Sequence, residues 1–315
     1  MARAERDGEA PLILDGGLAT ELERLGYDLA HPLWSARLLA EDPDAIAKVH
    51  RMYLAAGADV ITTASYQASM PGFRAAGFRE AEAERLLRDT VRIACRERDA
   101  AGREGVRVAV SIGPFGAYRA DGSEYRGDYR VALAEIERFH RARLEVLLDE
   151  MREQGADIVL CETIPSAEEA LLLARLLGEF GVRDAWVSLS LRDGTHTAEG
   201  NPLAVLASEL QSQAPVGRIG VNCVSPTLVS EALATIGEAA ALPLIAYPNA
   251  GESFDPAAKR WTGDRQSDLA GRAQRWYERG ARVIGGCCRT GPRDIQALDR
   301  WRRRVSPMEP GGAGD

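Results

Sequence analysis

Eight short, mostly apolar segments recur along the chain, each rich in valine, isoleucine, leucine or alanine. Continuous apolar runs of this kind are typical of strands that are buried on both faces of a parallel sheet. The predicted strands are Leu12–Asp15, Asp59–Ser65, Val106–Gly113, Asp157–Ile164, Ala185–Leu191, Arg218–Cys223, Pro243–Tyr247 and Ala281–Gly286.

Between these strands lie longer segments in which apolar residues recur with a period of about 3.6, as on the buried face of a helix. In Pro43–Ala56 this stripe holds Ile46, Val49, Tyr53 and Leu54. The other predicted helices are Arg79–Ala100, Val131–Gln154, Ala167–Phe180, Leu203–Gln213, Pro226–Ala240 and Ser267–Arg279.

Glycine ends several of these helices and leads directly into the next strand, as at Gly57, Gly155 and Gly280. Glycine suits the position after a helix because it adopts the left-handed conformation without strain. Eight strand–helix units in succession predict the α/β class and a single (β/α)8 barrel, the TIM barrel. A doubly wound open sheet is the structural alternative.

The length of 315 residues suits one such barrel with insertions. We expect a barrel domain over residues 11–305, a disordered N-terminal lead over 1–10 and a flexible tail over 306–315, because both ends are polar or rich in glycine and proline.

Two segments are longer than the usual connection after a barrel strand. They are Thr20–Asp42, after the first strand, and Pro114–Arg130, after the third. Both are predicted as loops on the carboxyl-terminal face of the barrel, where the active sites of this architecture are built.

Charge and cysteine content exclude several classes of function. A formal net charge of −8 argues against binding to nucleic acid or to an anionic membrane surface. No apolar stretch approaches the roughly 18 residues that a membrane span needs. Five cysteines, two of them adjacent, do not suit a disulfide framework and favour the reducing cytoplasm. No exposed helical seam indicates a particular oligomeric state.

Three cysteines stand at the predicted ends of two strands. Cys223 ends the sixth, and Cys287 and Cys288 follow Gly285 and Gly286 at the end of the eighth. Because the ends of barrel strands open onto one face, we expect the three thiols to converge. Three sulfur ligands with an open fourth position describe a catalytic zinc site, since structural zinc sites are closed. We therefore expect one zinc ion per chain.

We expect the two glycines before Cys287 to let the backbone turn, so that both adjacent cysteines point inward. The alternatives are that the three cysteines are inert buried side chains, or that Cys287 and Cys288 form a strained disulfide. The inert interpretation applies to Cys95, in a helical stripe, and to Cys161, within the fourth strand.

Carboxylates also stand at strand ends. Asp15 precedes Gly16 and Gly17 after the first strand, and Glu162 ends the fourth. Beside a thiolate metal site, such carboxylates suit the ammonium group of an amino-acid substrate. Backbone N–H groups around the two glycines suit its carboxylate. Solvated loop residues or helix caps are the alternative interpretation.

Four motifs resemble those of the homocysteine S-methyltransferase family. They are Asp15-Gly16-Gly17-Leu18-Ala19-Thr20-Glu21-Leu22, Glu162-Thr163-Ile164-Pro165, Gly220-Val221-Asn222-Cys223 and Gly285-Gly286-Cys287-Cys288-Arg289-Thr290. The resemblance runs from about Leu12 to Trp301. It implies that the three strand-end cysteines bind zinc and that Asp15 and Glu162 hold the ammonium group of homocysteine.

Within that family the chain is similar to the branch that uses S-methylmethionine or S-adenosylmethionine, judged by residues 61–69, 118–127 and 247–252. This implies transfer of a methyl group from a small sulfonium donor to the thiol of homocysteine, which gives methionine. A betaine-type donor and a selenohomocysteine acceptor are the alternatives.

The expected homocysteine-binding residues are Asp15, Gly16, Gly17, Thr63, Ser65, Glu162 and Asn222. The expected donor-binding residues are Tyr118, Tyr125 and Asn249. Trp34 or Tyr66 is also expected to frame the donor, because aromatic faces attract sulfonium cations. Without substrate, Asn222, Asn249 or water is expected as the fourth zinc ligand.

The residues suit this chemistry because the thiolate, not the thiol, is the nucleophile, and zinc ionises a bound thiol at neutral pH. Surplus thiolate charge should attract a cationic donor, and methyl transfer then depends mainly on positioning. Two rivals remain. A zinc hydrolase usually has histidine or carboxylate ligands, and a non-catalytic zinc- or thiol-binding barrel has no need of an ammonium site.

Overall fold

The computed structural model describes residues 10–31, 33–255, 260–265 and 268–305. Eight parallel strands make one sheet, and all eight predicted strands are confirmed. They are β1 (Leu12–Ile13), β2 (Val60–Thr62), β3 (Arg107–Ile112), β4 (Ile158–Ile164), β5 (Ala185–Leu189), β6 (Val216–Asn222), β7 (Leu244–Tyr247) and β8 (Ala281–Ile284). Apart from Ala10, the predicted lead and tail lie outside the described residues.

The sheet closes where the first strand pairs on both of its edges. Leu12 pairs in parallel with Val283 of β8, and Leu14 pairs in parallel with Val60 of β2. A 3.0 Å hydrogen bond from the Asp15 N–H to the Val60 carbonyl extends this contact. Because a strand that pairs on both sides leaves no open edge, the doubly wound alternative is wrong and the (β/α)8 barrel is confirmed.

Helices cover the outside of the barrel, and the seven predicted ones are confirmed with ends shifted by one or two residues. The described helices are α1 (Leu18–Arg24), α2 (Leu38–Glu41), α3 (Pro43–Ala55), α4 (Met70–Ala75), α5 (Glu80–Ala100), α6 (Phe115–Arg119), α7 (Leu133–Gln154), α8 (Ala167–Glu179), α9 (Leu203–Gln211), α10 (Pro226–Ala239), α11 (Leu269–Glu278) and α12 (Pro292–Val305). Over the part of the chain that the structure describes, no helix has both the length and the apolar character needed to cross a bilayer.

Helix α3 shows how local sequence sets an element. The Asp42 carboxylate accepts a hydrogen bond from the Ala45 N–H at 3.3 Å, which satisfies one of the free donors of the first turn. Ile46 and Val49 on its apolar stripe are fully buried. Gly57, with φ at 103°, ends the helical segment in the left-handed region, where a side chain would be strained.

Two layers of apolar side chains stabilise the barrel. The outer layer lies between the strands and the helices. The inner layer fills the barrel interior. It consists of Leu14, Val60, Ala109, Ile158, Leu160, Trp186, Ile245, Tyr247 and Val283.

Both segments that were predicted as long loops contain short helices. Thr20–Asp42 includes most of α1, a 3-10 turn at Trp34–Arg37 and α2, while Pro114–Arg130 includes α6 and a 3-10 turn at Ser123–Tyr125. The prediction missed them because helices of four to seven residues are too short to display a helical period.

One buried carboxylate anchors both ends of the segment Pro114–Arg130. Glu169 of α8 accepts hydrogen bonds from the Phe115 N–H at 2.6 Å and from the Tyr129 hydroxyl at 2.7 Å. His140 Nε2 lies 2.8 Å from the same carboxylate. Burial lowers the pKa of His140 to about 4, so the ring is neutral and Nε2 acts as the donor.

We expect Glu169→Ala to lower the free energy of unfolding by at least about 2 kcal/mol, because three buried donors lose their acceptor. Urea denaturation measures the change. Glu168→Ala, on the exposed neighbour in the same helix, is the matched control and should unfold like the wild type. Equal unfolding curves for the two variants would contradict the anchoring role.

Candidate active site

Three thiols converge at the carboxyl-terminal mouth of the barrel. The sulfur atoms of Cys223, Cys287 and Cys288 all lie within 4.8 Å of one another, and Cys223 Sγ is 3.4 Å from Cys288 Sγ. All five cysteines are free, so the alternative of a disulfide between the adjacent pair is not observed. Among the described residues, this is the one group of three or more such ligands at this spacing.

The end of β7 brings the two cysteine segments together. Cys223 follows β6 and donates its N–H to the Tyr247 carbonyl at 3.3 Å, while Cys287 follows β8 and donates its N–H to the Pro248 carbonyl at 2.8 Å. Strand β7 lies between β6 and β8 in the sheet. Cys223 also has φ at 51°, a left-handed conformation that turns the chain at the strand end.

Gly285 and Gly286 stand where a side chain would collide with neighbouring residues. A Cβ atom at Gly285 would lie 2.6 Å from Leu14 Cβ, and one at Gly286 would collide with the Thr290 side chain. Neither glycine has a positive φ, and the left-handed residue of this segment is Arg289, with φ at 66°. Their small size lets the cysteine segment pack against β1.

The thiol cluster fits a thiophilic divalent cation. A tetrahedral site with zinc–sulfur distances of about 2.3 Å places its sulfurs about 3.8 Å apart. The shortest observed pair, at 3.4 Å, and the 4.8 Å limit of the cluster bracket that spacing. Hydrogen bonds from the other two thiols lower the pKa of Cys223, and the hydrogen bonds to Cys223, followed by burial and its charge, raise the pKa values of Cys287 and Cys288. Three thiolates so close together therefore require a cation.

Asp15 and Glu162 line the same cavity as the cysteines. Asp15 accepts hydrogen bonds from the Thr62 N–H at 2.8 Å and the Thr62 hydroxyl at 3.2 Å. Glu162 accepts from the Ser111 hydroxyl and, at 3.2 Å, from the Tyr247 hydroxyl. Burial raises the pKa of Asp15, with a further contribution from Glu162, and burial raises the pKa of Glu162 to about 7. Two adjacent buried carboxylates form an attractive site for a cation.

Asn222 lies beneath the cavity surface and holds the backbone after Glu162. Its side-chain oxygen accepts from the Thr163 N–H at 2.7 Å, and its amide nitrogen donates to the Thr163 hydroxyl at 2.8 Å. Thr163 has φ at 60°, which is unusual for a β-branched residue and costs free energy. The paired hydrogen bonds stabilise this conformation.

Thr63 and Ser65 belong to the same polar network. Their hydroxyls are 2.5 Å apart, and the Ser111 N–H donates to the Thr63 hydroxyl at 3.0 Å. Thr63 lines the cavity, whereas Ser65 is fully buried behind it. Because Ser111 contacts Glu162, this network supports the carboxylate from below.

The cavity has a volume of about 490 Å³, and its remaining wall includes aromatic side chains. Trp34 and Tyr66 line it and meet edge to face, with their ring centroids 6.4 Å apart. Tyr125 lines it as well, and its hydroxyl lies 3.4 Å from Cys223 Sγ. Gly16 and Gly17 form part of the wall beside β1.

Two of the predicted donor-binding residues lie outside the cavity wall. The Tyr118 ring packs against Phe115 and Phe139, with centroids 5.8 and 5.1 Å away. The Asn249 side chain accepts a hydrogen bond from the Gly251 N–H at 2.9 Å and so closes a local turn. Neither residue is part of the lining of this cavity.

Sequence reasoning missed three polar residues of the site, namely Ser111, Tyr247 and Glu124. Ser111 and Tyr247 lie at the ends of predicted strands, so the rule that singled out Asp15 and Glu162 also applies to them. Glu124 lies in the segment after β3 that was predicted to face the cavity.

Comparison with known proteins identifies the family. The family model described as homocysteine S-methyltransferase matches residues 12–301. The chain belongs to the homocysteine S-methyltransferase family. The resemblance inferred from the motifs is therefore confirmed, and with it the assignment as a methyltransferase.

Individual relatives cover nearly the whole chain. It is 44% identical over 303 residues to homocysteine S-methyltransferase YbgG from Bacillus subtilis (strain 168), covering 93% of this chain and 95% of the relative. It is also 44% identical over 303 residues to the homocysteine S-methyltransferase of Escherichia coli (strain K12), covering 94% and 96%. The crystal structure of the metallated form of the homocysteine methyltransferase MmuM from Escherichia coli matches with a TM-score of 0.83 and 41% identity, over 95% of this chain and 98% of that one.

We expect Asn222→Ala to lower the free energy of unfolding by about 1–3 kcal/mol, because the buried Thr163 N–H and hydroxyl lose their partners. The same change should raise the KM for homocysteine, because Thr163 adjoins Glu162. Denaturation and steady-state kinetics measure both effects. Asn249→Ala, the control outside the cavity, should leave the homocysteine KM unchanged, and a variant at Asn222 that behaves identically would refute the positioning role.

Proposed function

We propose that the chain transfers a methyl group from S-methylmethionine or S-adenosylmethionine to the thiol of homocysteine, with one zinc ion held by Cys223, Cys287 and Cys288. The convergence of three thiols on a cavity that also presents two buried carboxylates is the observation that carries this proposal. The metallated form of the similar Escherichia coli enzyme supports a metal, and the all-sulfur donor set favours zinc.

When bound, zinc supplies a Lewis acid that keeps the acceptor thiol ionised near neutral pH, where a free thiol is mostly protonated. The three cysteines leave a fourth position for that acceptor. Their all-thiolate character disfavours a hydrolase, and the ammonium-binding carboxylates disfavour a sensor of zinc alone.

Homocysteine is oriented by the side of the cavity near β1 and β4. Asp15 and Glu162 accept hydrogen bonds from its ammonium group, which relieves the mutual repulsion of the two buried carboxylates. Gly16 and Gly17 carry no side chain because an added Cβ atom would collide with Tyr53 and Thr290, or with Thr20 and the Cys287 carbonyl. Thr63 and Asn222 support this side of the cavity indirectly, through hydrogen bonds with Ser111 and Thr163, and Ser65 supports it through its contact with Thr63.

The donor occupies the aromatic part of the cavity, beside Trp34, Tyr66 and Tyr125. Aromatic faces attract a sulfonium cation by about 0.5–2 kcal/mol. In the transfer step the bond between the donor sulfur and its methyl carbon breaks, and a bond from the acceptor sulfur to that carbon forms. The bonding pair stays on the donor sulfur, which leaves as a neutral thioether, so no general base is needed. With S-methylmethionine both products are methionine.

We infer that the protein works in the reducing cytoplasm. Its metal-binding thiols have to stay reduced, and all five cysteines are free. Such a thiol set is stable where glutathione and thioredoxin keep cysteines reduced.

We expect Cys288→Ala to lose both bound zinc and methionine formation, because two thiols do not complete the site. Zinc per chain is measured on reduced protein, and methionine is assayed with S-methylmethionine, S-adenosylmethionine and betaine in parallel. Cys95→Ala, on a buried cysteine in α5 away from the cluster, is the control and should retain both. Full activity of the Cys288 variant would overturn the metal assignment.

We expect Asp15→Asn to raise the KM for homocysteine about 10- to 100-fold, because a charged hydrogen bond to the ammonium group is lost. Zinc content and the donor KM should stay unchanged. The exposed Asp44→Asn on α3 serves as the charge-matched control. An unaltered homocysteine KM would exclude Asp15 from the acceptor site.

A further inference from the structure

Glu124 is a carboxylate on the cavity wall that the acceptor site does not use. Glu23 and Asp28 also lie on this wall but are exposed to solvent, whereas Glu124 is half-buried. Glu124 lies in the 3-10 turn Ser123–Tyr125, directly before the tyrosine whose hydroxyl is 3.4 Å from Cys223 Sγ. It therefore stands on the turn that flanks the metal-binding cysteines.

The backbone of this turn is held in place from two sides. The Ser190 hydroxyl donates to the Glu124 carbonyl at 3.0 Å. At Gly116 of α6, an added Cβ atom would lie 2.5 Å from the Glu124 nitrogen, so the helix and the turn are in close contact. A fixed backbone limits where the Glu124 side chain reaches, which is a requirement for specific binding.

One carboxylate oxygen of Glu124 has no donor among the described residues. Oε2 is buried from solvent and accepts no hydrogen bond there. The nearby Arg126 guanidinium donates instead to the carbonyls of Gly122, at 3.2 Å, and Asp121, at 3.4 Å. Because a buried carboxylate oxygen without a donor is costly, the Glu124 carboxylate gains free energy when its side chain turns towards the cavity and meets a hydrogen-bond donor on a ligand.

A second ammonium group is the ligand chemistry that fits. The proposed metal ion does not fit as the partner of Glu124, because the Glu124 carboxylate is not among the clustered ligand atoms of Cys223, Cys287 and Cys288. A sulfonium carries no N–H, whereas an ammonium carries three donors. The homocysteine ammonium is assigned to Asp15 and Glu162. An amino-acid sulfonium donor brings another ammonium, in S-methylmethionine four bonds from the sulfonium sulfur.

We propose that Glu124 accepts a hydrogen bond from the α-ammonium group of the methyl donor and is thereby a determinant of donor specificity. This inference rests on the function proposed above and narrows it. Glu124 selects sulfonium donors that are amino acids, such as S-methylmethionine and S-adenosylmethionine. Betaine is disfavoured, because its quaternary nitrogen has no N–H to offer.

The test compares Glu124→Gln with wild type, both loaded with zinc. The KM for S-methylmethionine is expected to rise about 10- to 100-fold, as for loss of a charged hydrogen bond, with kcat little changed. The homocysteine KM and the zinc content should not change, whereas a merely structural role would alter them. Glu124→Asp should recover part of the donor affinity. Asp128→Asn removes an exposed carboxylate from the same segment and should behave as wild type.

Dimethylsulfoniopropionate is a sulfonium donor without an ammonium group. It therefore separates attraction to the sulfonium charge from hydrogen bonding by the ammonium group. Its kcat/KM is expected to be low in wild type and equally low in Glu124→Gln. If Glu124→Gln lowered kcat/KM for dimethylsulfoniopropionate as much as it lowers kcat/KM for S-methylmethionine, Glu124 would act on the sulfonium charge. The proposal would then be wrong. An unchanged KM for S-methylmethionine in Glu124→Gln would also overturn it.

Calorimetric titration of S-methylmethionine into the zinc-loaded proteins measures donor binding without turnover. The role of Glu124 can therefore be tested even if the proposed reaction is wrong. Failure of wild type to form methionine from any donor would refute the proposed reaction. In that case, weaker binding of S-methylmethionine by Glu124→Gln than by wild type still supports the role of Glu124, and equal binding overturns it.

Discussion

The close contact of the segments after β6 and β8 with the end of β7 is the constraint on which the site depends. Two backbone hydrogen bonds, from Cys223 and from Cys287 to consecutive carbonyls at the end of β7, join cysteines that are far apart in sequence. Gly285 and Gly286 permit this approach, since a side chain at either position would strike β1 or Thr290. The strand order makes the contact possible, because β7 lies between β6 and β8 and all three strands end at the same face of the barrel.

Acidic groups dominate the cavity that this contact creates. Three thiols and the carboxylates of Asp15, Glu162 and Glu124 face a partly enclosed space, and burial raises the pKa of each of these carboxyl groups. Such an arrangement opposes the stability of the protein without ligands, since buried charges need compensation. In the proposed function, a metal ion, an acceptor ammonium and a cationic donor supply three separate compensations. Ligand binding and stability are therefore coupled, as is typical of sites with shifted pKa values.

The donor side depends on a different kind of support. Glu169 fastens both ends of the segment Pro114–Arg130, and Gly116 lets α6 pack closely on the turn that carries Glu124 and Tyr125. The segment is thus an ordered wall with its own buried anchor.

The sequence by itself determined the barrel and the convergence of the three strand-end cysteines. Buried parallel strands appear as repeated apolar runs, and strand-end positions face one side of a barrel whatever the details of packing. Only the tertiary structure decided which loop side chains reach the cavity. The Tyr118 ring packs against Phe115 and Phe139 and lies outside the cavity lining. Tyr125 and Glu124 line the cavity because Ser190 and Gly116 fix the position of their turn. These contacts join residues that no local pattern relates, since side-chain direction in irregular segments depends on distant packing.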